Sequence, residues 1–64
     1  MAISLKAARV NAGLTQAMLA EKLNVSETTI WKWENGKSEP KLSQFAKICE
    51  AVGLSMSDIF LPEA

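Results

Sequence analysis

The stretch Leu14–Pro40, LTQAMLAEKLNVSETTIWKWENGKSEP, decides the fold. Thr15 has the chemistry of a helix cap, its hydroxyl free to accept an orphan backbone N–H ahead of QAMLAEKL. Asn24 is the best non-glycine candidate for a positive φ, which would close that helix. Ser26 can cap the next helix, which runs over residues 27–35 into the stop signal Asn35-Gly36. Advancing about 100° per residue from Glu27 places Ile30 near about 300° and Trp33 near about 240°, on one side. Glu27, Thr28, Trp31, Lys32 and Asn35 fall on the other. Trp33 is therefore core or semi-core, and Trp31 stands outward. An indole left in water on a short helix points to contact with something.

Two short helices joined by a three- or four-residue turn make a helix-turn-helix, here over about residues 16–35. Close packing needs a small residue where the first helix passes the turn, and Ala20 is placed for it. Leu19, Leu23, Val25 and Ile30 supply apolar pins for both helices, leaving the outward face of the second free to enter a major groove.

The flanks read as helices too. One is expected over Ile3 to Ala12, ended by Gly13 in a left-handed conformation. KSEP is a short exposed connection. A fourth helix, Lys41 to Ala51, carries the amphipathic stripe Leu42, Phe45, Ile48, Cys49 and Val52 and ends at Gly53. Ser55 with Asp58 three residues on reads as a capping box, opening a last short helix through Ile59, Phe60 and Leu61. The expectation is one all-α domain over residues 1–64, five short helices around one core.

Composition narrows the function. A 64-residue chain buries only about 60% of the surface its unfolded form exposes. Small folds often recruit a disulfide, a metal or a second subunit. Cys49 is the sole cysteine and there is no histidine, which removes an internal disulfide and the usual zinc ligand sets. A dimer is then the most natural source of extra stability, although compact helical packing can suffice. No cofactor is expected, and no small-molecule ligand is evident. Without histidine, a carboxylate pair in a cleft or a glycine-rich phosphate loop, an enzyme is not expected. The start of the chain, MAISLKAARV, lacks the apolar core of a signal peptide, and no run is long enough to span a membrane. One unpaired cysteine suits a reducing cytoplasm. Lys and Arg number 7 against 7 Asp and Glu, so no strong global field attracts a polyanion.

Leu14–Pro40 resembles the helix-turn-helix domain of the phage Cro and CI repressors and their bacterial relatives, the Cro/C1-type or XRE family. The carrying pattern is L-T-Q, L-A-x-x-L, V-S, I-x-x-W-E-N-G-K and a proline three to four residues later. The resemblance covers about Leu5 to Phe60. It implies a five-helix lambda repressor-like bundle, and a cytoplasmic bacterial or phage-encoded regulator, of repressor type, that binds double-stranded DNA as a dimer on a palindromic operator. Base contacts then fall to Glu27, Thr28 and Lys32, with Trp31 and Thr29 beside them. Gln16, Ser26, Thr29, Asn35 and the amides after Gly36 match phosphate contacts, joined by Lys37 and, after the proline, Lys41. Lys6 could line the same face. Arg9 and Glu34 match a buried salt bridge between the first and third helices.

Each assignment has a plainer alternative. Arg9 can touch a phosphate directly. Glu27 can do no more than favour the helix dipole, Trp31 can serve a dimer contact, and Lys41 can be a solvated lysine. The dimer surface is expected at Ile59, Phe60 and Leu61, unless these simply close the core. Cys49 reads as a buried small apolar residue rather than a sensor. Asn24, where the family usually has glycine, and Lys41, where a capping serine is common, depart from the pattern. Against the DNA-binding reading stands a protein-interaction module, favoured by zero net charge, Glu27 and Trp31.

Overall fold

The structure, a computed structural model, describes residues 1–63. Its elements are β1 (Ile3–Ser4), α1 (Leu5–Asn11), α2 (Gln16–Leu23), α3 (Glu27–Glu34) and α4 (Leu42–Val52). A single 3-10 turn at Met56–Asp58 then leads into β2 (Ile59–Phe60). The described residues thus hold four α-helices, not five, with one small parallel strand pair.

Capping sets the helix starts. The Ser4, Thr15 and Ser26 hydroxyls accept from the backbone N–H of Ala7, Met18 and Thr29 at 3.1, 3.0 and 3.1 Å. Each satisfies one of the first-turn donors that have no partner within the helix. α1 therefore begins at Leu5, two residues later than the sequence suggests, because Ser4 is spent as its cap and Ile3 lies in β1. Asn24 ends α2 at φ 57°, ψ 44°, and the Val25 N–H returns to the Ala20 carbonyl at 3.0 Å. That short left-handed turn brings α3 back across α2.

The expected last helix is absent, and the reason is local. Proline disfavours the α conformation for the residue before it, so Pro62 pushes Leu61 out of a helix. What remains after Ser55 is little more than one turn, too short to offset the cost of nucleation. The β-branched Ile59 instead extends and pairs with Ile3, and Phe60 with Ser4, in parallel register. Ser55 and Asp58 still act together: the Asp58 carboxylate accepts from the Ser55 N–H at 3.0 Å and its hydroxyl at 2.8 Å. They close only a 3-10 turn.

The core gathers Leu5 and Ala8 from α1, Leu19, Ala20 and Leu23 from α2, and Ile30 and Trp33 from α3. Ile48 and Cys49 of α4 and Ile59 of β2 complete it. Burying an aliphatic side chain of this size contributes about 1.5–3 kcal/mol. Phe45 and Val52 pack at its margin. Leu42, expected in the same stripe, is 73% exposed. It is the first residue of α4. Ile59 is 5% exposed, so it closes the core and is withdrawn from the expected dimer surface.

Candidate nucleic-acid interface

The relation of α3 to α2 controls which side chains meet solvent. α2 packs more extensively on α3 than on any other element. Ile30 is fully buried and Trp33 is 3% exposed, whereas Trp31 is 46% exposed. The wheel thus separates the two tryptophans as the sequence implies. Fixed by Ile30 and Trp33, α3 presents Glu27, Thr28, Trp31 and Lys32, all exposed, with Thr29 half-buried between them.

The N-terminal edge of this surface is built from hydroxyls. Besides capping α3, Ser26 Oγ lies 2.8 Å from Thr29 Oγ1, so one hydroxyl hydrogen of the pair is used internally. The far edge is also partly spoken for. Asn35 Nδ2 donates to the Trp31 carbonyl at 2.8 Å, and the Lys37 N–H donates to the Lys32 carbonyl at 2.8 Å. The first amide after Gly36 is therefore bound within the chain. The Lys37 side chain at this edge is exposed. Lys41 stands at the N-cap of α4 and is exposed. With no acceptor of its own, it leaves capping to Gln44, whose Oε1 accepts from the Lys41 N–H at 2.7 Å. Lys6 is exposed on α1.

Behind the surface lies an ion pair. Arg9 Nε donates to Glu34 Oε2 at 2.6 Å and Arg9 Nη2 to Glu34 Oε1 at 3.2 Å. The two side chains are 9% and 1% exposed. Arg9 Nη1 also donates to the Leu14 carbonyl at 2.8 Å, which ties down the α1–α2 connection. The guanidinium is used on three sides. Gln16 is not a free side chain either: its Nε2 donates to Glu34 Oε1 at 3.1 Å. Eighteen positions separate these residues, and no local pattern marks the contact.

A helix-turn-helix family model matches residues 5–59, from the start of α1 to β2. The chain belongs to the XRE, or Cro/C1-type, helix-turn-helix family. It is 44% identical over 59 residues to an uncharacterised HTH-type transcriptional regulator of Methanocaldococcus jannaschii, covering 92% of this chain and 89% of that one. It is 36% identical to the HTH-type transcriptional activator BcrR of Enterococcus faecalis, over 86% of this chain but only 27% of BcrR. It is 35% identical to the antitoxin HipB of Escherichia coli O6:H1, over 89% of this chain and 61% of HipB. The XRE chain thus spans nearly all of the first relative, about a quarter of the second and three-fifths of the third. Among the described residues, no helix is long and apolar enough to cross a membrane.

Proposed function

We propose that this XRE-family chain is a sequence-specific double-stranded DNA-binding protein of the cytoplasm, working as a homodimeric transcriptional regulator. α3 inserts into the major groove. Glu27, Thr28 and Lys32 face base edges there, and Trp31 lies along thymine methyls or sugar edges. Lys32 donates to guanine O6 and N7, Glu27 accepts from cytosine N4 and Thr28 meets a thymine methyl. Gln16, Ser26, Thr29, Asn35, Lys37 and Lys41 hold the phosphate backbone and set the register. The carrying observation is the division of α3 into a face anchored by Ile30 and Trp33 and a polar face with Trp31 exposed. The resemblance to the Cro and CI repressors favours repression by occupation of the operator. The names of its relatives, an activator and an antitoxin among them, leave either sign of regulation open to the domain.

The homodimer is proposed through Phe60, which is 51% exposed, together with the half-buried Leu61. A two-fold dimer reads two half-sites about 34–36 Å apart. Selection of binding sites from a random duplex pool at physiological salt tests the proposal. Enrichment of a palindrome with half-sites one turn apart is expected. Absence of any enrichment by a folded sample would favour the second reading, a protein-interaction module with Trp31 at its centre, which the zero net charge supports.

A further inference from the structure

We infer that Glu34 is a positioning residue for DNA binding: its carboxylate, neutralised by Arg9, holds the Gln16 amide at the start of α2 in the orientation that meets a backbone phosphate. The inference rests on the proposed phosphate role of Gln16 and gives the buried ion pair a task beyond joining helices. Three helices meet at one oxygen. Glu34 Oε1 accepts from Arg9 Nη2 of α1 at 3.2 Å and from Gln16 Nε2 of α2 at 3.1 Å. Its partner Oε2 takes Arg9 Nε at 2.6 Å.

The chemistry of the carboxylate settles which way the amide faces. Turning the Gln16 amide over would set its carbonyl oxygen against Glu34 Oε1, two acceptors with no proton between them. The amide nitrogen is therefore held inward by one N–H. Its second N–H has no protein partner among the described residues, and Gln16 is half-exposed. A glutamine in solution loses rotamer freedom when it binds; one already held by the fold has lost it beforehand, and the contact gains by that difference. A bare carboxylate would be a poor neighbour for a phosphate, since like charges repel. Here the Glu34 side chain is only 1% exposed and the bidentate guanidinium cancels its charge, so the carboxylate behind Gln16 does not repel a phosphate in front of it. Because Glu34 belongs to α3 itself, the clamp also fixes the phosphate contact of α2 in register with the base-reading helix.

The test is a double-mutant cycle on duplex DNA carrying the selected site, with a scrambled duplex as comparison. Gln16→Ala is expected to weaken both by about tenfold, the loss of one hydrogen bond to a charged group. Glu34→Gln alone leaves Arg9 buried without its counter-charge and can unfold the domain. The working variant is therefore Arg9→Met with Glu34→Leu, since replacing both members of a buried pair by apolar groups is often neutral. This folded variant is expected to lose about tenfold in affinity, and to lose nothing more when Gln16→Ala is added. The nuclear magnetic resonance signals of the Gln16 side-chain amide report the clamp without DNA. They should be as ordered as the backbone in the parent and mobile in the paired variant. Additive losses, or a Gln16 amide equally mobile in both, would overturn the positioning role while sparing the phosphate contact. Unchanged binding in Gln16→Ala alone would instead overturn the phosphate contact, and the inference with it.

Discussion

Lys32 and Gly36 stand for two kinds of residue, one proposed to read DNA and one that shapes the chain. Lys32 is exposed and sits one turn into α3, where an ammonium can reach guanine O6 and N7. Lys32→Ala should change the preferred base at one half-site position, with a cost of about 1–3 kcal/mol against the parent site. A binding-site selection repeated with the variant checks this, and an unchanged preference removes Lys32 from base reading. Gly36 is held by backbone geometry and by crowding together. Its φ is +70°, and a Cβ there would stand 2.7 Å from the Glu63 carbonyl oxygen and 3.3 Å from Pro62 Cβ. The chain after β2 thus packs against the turn that leaves α3. Left-handed geometry costs a non-glycine residue about 1–2 kcal/mol, and the clash adds to it. Gly36→Ala should lower the urea midpoint in the full chain, and less so when residues 62–64 are removed from both proteins. If the substitution costs the same at either chain length, the crowding by the tail is not part of its effect.

At the scale of elements, what was legible was what is written locally. Thr15, Ser26 and Asn24 announce the ends of α2 and α3 because capping and left-handed turns act within four residues. The two faces of α3 follow from its period alone. The strand pair has no sequence signature because two-residue strands carry no alternation, and Ile3 and Ile59 are brought together only by the tertiary fold. For the same reason Ile59 reads equally as surface or core until its partner is known. Leu42 misleads differently, since a stripe drawn on a wheel takes no account of where the helix starts. The contact of Gln16 with Glu34, and that of Arg9 with Glu34 across 25 positions, are tertiary and have no periodic signature. The 3-10 turn before β2 carries its own pH dependence. Hydrogen bonds from the Ser55 hydroxyl and N–H hold the Asp58 carboxyl below its ordinary value of 3.8. A depressed folded value means that the contribution is complete above the unfolded value and is lost as pH falls through the folded one. Asp58→Asn should therefore lower the denaturant midpoint at neutral pH, and the difference from the parent should shrink as the pH drops below about 4. A difference that persists unchanged at pH 2 would assign the effect to something other than the carboxylate's charge.

For the whole molecule the open question is how a chain of zero net charge holds a polyanion. Burial of the Arg9–Glu34 pair does not alter the balance, since it leaves six lysines against six carboxylates, so attraction has to come from where individual lysines stand. Most of the proposed phosphate contacts, from Gln16, Ser26, Thr29 and Asn35, come from neutral donors. Neutral donors position a duplex but release no counterions, and in the proposed set only Lys37 and Lys41 carry a charge that could neutralise a phosphate. Affinity should then depend on salt far less than it does for strongly basic DNA-binding domains. With two such lysines in each chain, the slope of log K against log salt should be about −1.8 for a bound monomer and about −3.6 for a bound dimer. Fluorescence anisotropy of a labelled operator between 50 and 200 mM salt, at protein concentrations spanning dimer formation, measures it. A slope near the larger value accords with two subunits each using Lys37 and Lys41. A slope near the smaller would leave one subunit on the DNA and remove the reason for a palindrome. A slope near about −7 would bring in a second pair of lysines from each subunit, and Lys6 and Lys32 are the exposed candidates. Lys32 would then be shared between backbone and base, so its alanine variant should lower the slope as well as change the site.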